Sequence, residues 1–388
     1  MKVIVPTKVV LYANTDWYLY NFRRSLALAL QHRGYEVLLV SPAGPYGEKL
    51  RALGLRWEPL PMLRRSLNPF REARLLRHLV RLLAQERPSL LHSFTIKCAV
   101  YGSLAARLAS VPGRINAVAG MGYVFTSTEV KARLLRPIVR ALLRWTLGGR
   151  HARLILQNAD DAALFEQEGL VDRSTIRLIR GSGVACQQFA SVHRSARDGE
   201  PRILLAARLL WDKGIGEYVE AARILRSQGS HVRFLLAGIP DEGNPAAISV
   251  ETIRQWVVEG LVEWLGHVDD MPALLATVDI FALPSYREGL PKSLVEAAAC
   301  GLPLVSTDVP GCREVIADGK DGLLVPVRDA PALAAAIARL LQDRELAARI
   351  GAAASRKAVK EFDEASVIDH TIAVYEELLG SSIPGVAK

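Results

Sequence analysis

The chain has 388 residues, half of them apolar and 23% charged, which suffices for two large cores and excludes global disorder. Its 29 Gly and 20 Pro are ordinary usage and exclude a collagen-like or low-complexity chain. The net charge of +9 is uneven: residues 1–185 hold 28 Lys+Arg against 12 Asp+Glu, and the remainder holds 21 against 28, so the first half calls for an anionic partner.

The N-terminal stretch Met1–Asn14 is broken by Pro6, Lys8 and Asn14 and reads as a first strand, not a signal peptide. Strands are predicted at Val9–Ala13, Glu36–Val40, Leu90–Ser93, Ile115–Val118 and Leu154–Gln157. Helical patterns fall between them at Phe22–His32, Asn68–Gln85, Ala99–Leu108 and Val130–Leu147. The stretch Gly181–Pro201 has little periodicity and reads as a domain connection. A second alternating series follows, with strands at Arg202–Ala206, Val232–Ala237, Val262–Leu265, Ile280–Leu283, Leu304–Ser306 and Gly322–Val325. Its helices are Gly214–Ser227, Ile248–Glu259, Pro291–Ala299, Ala330–Gln342, Glu345–Val359 and Ala365–Leu379.

Such alternation predicts an α/β chain of two doubly wound, Rossmann-like domains in tandem. The expected division is a basic domain 1–185, a linker 186–201, a second domain 202–364, and a C-terminal helix and tail 365–388 that returns to the first domain. Ligands of such folds sit at the carboxyl ends of the strands. No run of 18 apolar residues is present, and Cys98, Cys186, Cys300 and Cys312 form no C-x-x-C pair, so a reduced cytoplasmic setting is expected.

Two arginine-rich stretches concentrate the positive charge. One runs from Arg64 to Arg87; the other places Arg133, Arg136, Arg140 and Arg144 along one helical stripe. Each is either a solvated helix face or a face for an anionic bilayer. No complete G-x-G-x-x-G occurs at Gly120, Gly181 or Gly214, and there is no P-loop and no Asp-x-Asp.

Two blocks carry chemistry. In Pro284-Ser-Tyr-Arg-Glu288-Gly289-Leu290-Pro291-Lys-Ser-Leu-Val-Glu296, a strand end leads through a Gly-Leu-Pro turn into a helix, whose first N–H groups can cradle a phosphate or sugar hydroxyl. Glu288 before the helix and Glu296 within it can hold two groups of hydroxyls on one elongated ligand, or serve as a capping acid and a solvated residue. In Ala206-Ala-Arg208-Leu-Leu-Trp-Asp-Lys213-Gly214, two cations at a strand end suit a diphosphate, the alternative being surface cations set against the helix dipole.

Together these blocks resemble the retaining glycosyltransferases of family 4, whose architecture is the two-domain GT-B fold. The resemblance spans nearly the whole chain and rests on E-x7-E from Glu288 to Glu296 and R-L-x-x-x-K-G from Arg208 to Gly214. Asn21-Phe-Arg23, Arg64-Arg-Ser-Leu-Asn-Pro69, His92-Ser-Phe-Thr-Ile-Lys97, Ala119-Gly-Met-Gly-Tyr-Val-Phe125 and Gly181-Ser-Gly-Val184 are similar to enzymes that extend bacterial glycans on a polyprenyl-diphosphate carrier.

The resemblance implies a retaining transfer of a hexose or N-acetylhexosamine from a nucleotide sugar, UDP-linked by subgroup, to a polyprenyl-diphosphate-linked saccharide. It implies no metal and no cofactor beyond the donor. Arg208 and Lys213 would bind the donor diphosphate, Glu296 the ribose, and Glu288 the hexose, with the Gly289 and Leu290 amides nearby; Gly266-His-Val268 would touch the base. Turns near Asn14–Asp16 and at Gly120 and Gly122 would face sugar and acceptor. Two positions depart from the family: Ala119-Gly-Met-Gly122 lacks the usual His, leaving His92 as the imidazole candidate, and Ala185 stands where relatives carry Asp. The expected setting is peripheral, on the anionic inner face of the cell membrane, without nucleic acid. The competing readings are a nucleotide-sugar epimerase of the same fold and a non-enzymatic binder of anionic surfaces.

Overall fold

The computed structural model describes residues 7–64, 66, 68–118, 130–191, 199–241 and 243–380; within 130–139, only Pro137 has a described side chain. The chain forms two compact units, Met1–Ser182 with Val367–Lys388, and Gly183–Ser366.

The first unit is built on a seven-stranded sheet: β1 Lys8–Tyr12, β2 Glu36–Ser41, β3 Arg56–Pro59, β4 Leu90–Phe94, β5 Gly113–Ala117, β6 Ala152–Leu156 and β7 Ile176–Leu178. Their order is β3-β2-β1-β4-β5-β6-β7, and each described pairing is parallel. Val10 lies opposite Leu38 on one side and Leu91 on the other, and all three are buried. Near-continuous apolar runs are what a parallel sheet covered on both faces requires. The C-terminal helix Glu364–Leu379 adds Val367, Ile368, Ile372 and Tyr375 to the same core. These residues form one stripe at helical spacing.

The second unit carries β8 Arg202–Ala206, β9 Arg233–Ala237, β10 Glu263–Gly266, β11 Ile280–Leu283, β12 Leu304–Thr307 and β13 Leu323–Val325, ordered β10-β9-β8-β11-β12-β13 and also parallel. Cores lie on both faces of this sheet.

Three differences from the sequence expectation have local causes. The helix expected over Phe22–His32 runs over Arg24–His32, and a helix not expected, Asp16–Phe22, precedes it, the two being separated by Arg23, which leaves helical geometry at φ −132°. The edge strands β3 and β7 were not expected: Arg56–Pro59 buries only Trp57 fully, and Ile176–Leu178 has three residues. The stretch 186–201 opens with the helix Cys186–Ala190, whose Cys186 and Phe189 are buried in the second unit's core.

Candidate functional site

β8 and β11 are parallel neighbours, with Ile203 opposite Ile280 and Leu204 opposite Phe281. The loops that follow them therefore leave the sheet side by side at its carboxyl edge. Tyr286 N–H donates to Asp212 O at 2.9 Å and joins the two loops. Gly214 makes the approach possible. Its φ is +71°, and a Cβ there would lie 2.0 Å from Pro284 O.

This juxtaposition brings the two sequence blocks together. Lys213 Nζ lies 2.6 Å from Glu288 Oε1, with the side chains 18% and 10% exposed. Ser285 Oγ, from a fully buried residue, donates to the same oxygen at 2.7 Å. β12 fixes the loop from beneath, as Thr307 Oγ1 donates to Ser285 O and Ser306 Oγ to Leu283 O. The Glu288–Gly289 backbone rests on Gly311, where a Cβ would meet Gly289 O at 2.6 Å and Glu288 O at 2.7 Å.

Arg208 leaves the same edge. Its Nη1 lies 2.7 Å from Asp241 Oδ2, which also accepts from Asn244 Nδ2 at 3.0 Å. Arg208 is about half exposed, so this pair is weak and readily exchanged for another anion. In the loop after β11, Tyr286 OH donates to Glu217 Oε1 and Oε2 at 2.8 and 2.9 Å, and the Arg328 guanidinium lies 4.7 Å from the Tyr286 ring centroid. Burial and the Glu217 carboxylate raise the Tyr286 hydroxyl to about 12, so it stays a proton donor.

Glu296 lies in the helix Lys292–Ala299 with its side chain 14% exposed. Burial pushes its carboxyl above the usual range, and Lys292, 3.6 Å away, opposes that push. Leu290 and Val268 are half-buried and pack on the second unit's core. His267 is exposed, with Nε2 3.3 Å from Asp269 Oδ1.

The first unit treats its candidates differently. His92 is buried within β4, and its Nδ1 lies 2.7 Å from Tyr375 OH. Its Nε2 has no partner among the described residues. Burial and the Arg23 charge hold the imidazole well below its ordinary value, so the ring is neutral. Asp16 is buried and accepts from the Trp17, Tyr46 and Gly47 N–H groups at 2.8, 2.6 and 3.1 Å. Gly120 and Gly122 lie outside the described residues.

The His92–Lys97 motif reaches Ser66 of the Arg64–Pro69 stretch, since Lys97 Nζ donates to Leu63 O, Ser66 O and Glu72 Oε1 at 2.9, 3.0 and 2.9 Å. Two stretches singled out separately thus form one unit. In the second arginine stripe, Arg140 is taken up by Glu168, at 2.6 Å from its carbonyl and 3.4 Å from its carboxylate.

Sequence reasoning missed Asp241 as Arg208's partner and Ser285 as the prop of Glu288. The signal for Asp241 was its place in the loop after β9, next to β8. Among the described residues no group of three or more His, Cys, Asp or Glu could hold a metal ion, and no helix is long and apolar enough to cross a membrane.

Comparison with known proteins agrees with both units. Residues 200–343 match the family model "Glycosyl transferases group 1", and residues 8–158 match "Glycosyl transferase 4-like". The chain is 32% identical, over 93% of its length and 96% of the relative, to the N,N'-diacetylbacillosaminyl-diphospho-undecaprenol alpha-1,3-N-acetylgalactosaminyltransferase of Campylobacter jejuni. It is 26% identical, over 74% of its length and 75% of the relative, to an Escherichia coli UDP-Gal:alpha-D-GlcNAc-diphosphoundecaprenol alpha-1,3-galactosyltransferase. Among solved structures, a Rickettsia africae glycosyltransferase aligns with a TM-score of 0.78 at 17% identity, covering 97% of this chain and 99% of that one. Anabaena HepE in complex with UDP aligns at 0.76 and 19%, covering 96% and 100%. The fold is GT-B, and the chain belongs to the group 1, family 4 glycosyltransferases.

Proposed function

We propose that this glycosyltransferase moves a hexose or N-acetylhexosamine, with retention, from a UDP-sugar to a polyprenyl-diphosphate-linked saccharide. The observation that carries the reading is the contact between Lys213 and Glu288, which builds one polar site from two separate blocks. Lys213 has further N–H donors beyond the one facing Glu288, and Arg208 can exchange Asp241 for phosphate. These two cations hold the donor diphosphate and stabilise the charge that develops on it as it leaves. Glu288, fixed by Ser285 and Lys213, receives sugar hydroxyls with the Gly289 and Leu290 amides beside it. Glu296 takes the ribose and the Val268 turn the base. The acceptor hydroxyl approaches on the leaving-group side, and a donor phosphate oxygen takes its proton, so the protein contributes position and electrostatics. The route needs no metal.

Two undecaprenyl-diphosphate enzymes that the chain resembles support the polyprenyl acceptor. The basic first unit supports work on the anionic inner face of the membrane. Arg71, Arg74, Arg77 and Arg81 line the exposed face of the helix Pro69–Glu86, and Phe70 at its start is 84% exposed.

The test is a thermal-shift screen with UDP, GDP, ADP and UDP-sugars, followed by transfer to a polyprenyl-diphosphate saccharide. A UDP-selective shift that is lost in Lys213→Ala, with acceptor-dependent product, is the expected result. Formation of an epimerised sugar or nucleotide sugar without acceptor would replace transfer by epimerisation.

A further inference from the structure

The amino end of the first sheet holds a second basic site, remote in sequence from the donor blocks. An open pocket of about 520 Å³ is lined by Ala106, Arg107, Ser110, Val111, Pro112, Arg114 and His151. Arg114 is the second residue of β5, His151 immediately precedes β6, and His151 O accepts from Arg114 N–H at 3.0 Å. The helix Ile96–Leu108 brings Arg107 to the same place.

The two guanidiniums converge. A Cβ on Gly149 would lie 3.3 Å from Arg114 Nη2 and 3.6 Å from Arg107 Nη2. Part of this arrangement serves the fold: Arg107 Nη2 donates to Trp145 O and Gly148 O at 2.7 and 3.0 Å, and Arg114 Nη2 to Gly148 O at 3.4 Å. Those carbonyls end the helix Val130–Leu147, and capping them uses only the Nη2 atoms. The Nε of each arginine is buried without an acceptor, and neither arginine, nor His151, forms an ion pair among the described residues. Arg114 is only 8% exposed, and a buried unpaired cation costs free energy. Desolvation and the nearby Arg107 charge pull the Arg114 guanidinium down to about 10. Structural capping therefore accounts for the helix end and leaves the two guanidiniums without a carboxylate partner among the described residues.

We propose that this pocket is an anion site that takes a phosphate group, held between the Arg107 and Arg114 guanidiniums with His151 at the rim. Guanidinium forks match phosphate oxygens, and lining with two arginines and a histidine and no carboxylate selects an anion. The phosphate comes either from a soluble phosphate compound or from a lipid headgroup. Exposed Leu108 and Trp145 beside Arg107 are the apolar contacts that a lipid-borne phosphate would add.

The experiment compares inorganic pyrophosphate binding, by thermal shift and calorimetry at constant ionic strength, in wild type, Ser110→Asp and Lys213→Ala. Ser110 lines the pocket at φ +56°, a conformation that Asp tolerates, so Ser110→Asp adds a carboxylate while keeping both arginines and the helix cap. The expected result is a binding event that Lys213→Ala retains and that weakens about tenfold or more in Ser110→Asp. Arg107→Gln should weaken the same event if that variant folds. Flotation with phosphatidylglycerol and phosphatidylcholine vesicles then separates the sources. Preferential phosphatidylglycerol binding that falls in both Ser110→Asp and Trp145→Ser assigns a lipid phosphate. Vesicle binding unchanged in both, with the pyrophosphate loss intact, assigns a soluble one. Pyrophosphate binding that Ser110→Asp leaves unchanged, or that Lys213→Ala alone abolishes, overturns the proposal.

Discussion

At the carboxyl ends of the two sheets, polar residues are spent in opposite ways. In the second unit, Lys213, Glu288, Arg208 and Asp241 meet side chain to side chain at the edge of solvent, where a ligand can exchange with a partner. In the first unit, Asp16 is saturated by three backbone N–H groups, and His92 is buried against Tyr375. The first pattern leaves charge that a ligand can take up, whereas the second ties Asp16 to backbone and one nitrogen of a neutral His92 to Tyr375. A charged residue at a strand end is thus a site candidate when its partner is another exchangeable side chain, and a structural element when its partner is the backbone or a buried ring.

The sharpest way to break this contrast is to remove the exchangeable pair. Lys213→Ala should lower kcat/KM for donor transfer by roughly 10²-fold or more, and Glu288→Ala should do the same, with both variants folded by circular dichroism. Near-normal initial rates in either folded variant would reduce the pair to a structural ion pair. Gly214→Ala attacks the same contact through the backbone. The added methyl meets Pro284 O and requires a left-handed conformation, so it should cost about 2 kcal/mol or more in denaturant melts and lose most transfer.

His92 tests the other side of the comparison. His92→Gln should leave kcat within about twofold, because Gln still offers Tyr375 a hydrogen-bond partner, at a loss of about 1 kcal/mol of stability. Its effect should depend on pH. The folded state holds the imidazole below its ordinary 6.5, so its contribution is complete above pH 6.5 and is lost as pH falls below it. The Gln variant should show a flatter stability profile on that acid side. A large fall in kcat with an unchanged melting temperature would move His92 into the reacting site.

Much of this was legible in the sequence, for physical reasons. Ile280–Leu283 and Arg202–Ala206 are apolar runs ended by turn residues, and the structure places both strands at the expected bounds. Glu288 and Lys213 were visible as residue types at strand ends. Their contact was not, because it depends on β8 and β11 being neighbours although 73 residues separate their ends, and on Gly214 letting the loops touch. The short helices Met271–Ala276 and Pro310–Val315 were missed because six residues give less than two turns of periodicity. Asp241 was missed because nothing local in its loop marks it as a partner; only its place beside β8 does.

Glu296 combines the two behaviours, since it is largely buried yet proposed to meet the ligand. Its carboxyl is held above the ordinary 4.5, mainly by desolvation. Below pH 4.5 both folded and unfolded chains are protonated there, and burial carries no ionic cost. As pH rises past 4.5 the unfolded chain ionises first, so this residue lowers stability progressively until the folded carboxyl also ionises, after which the cost is constant. Glu296→Gln keeps the shape without the charge. Without ligand, it should match wild type in melting temperature at about pH 4 and exceed it at about pH 7.5, each kcal/mol reading as about 2–4 °C. With saturating UDP-sugar the order should narrow or reverse, because the carboxylate that destabilises the empty protein is the one assigned to the ribose. A Gln variant that melts lower at every pH, with and without donor, would make Glu296 a packing residue and leave Glu288 as the one carboxylate of the E-x7-E pair that meets the donor.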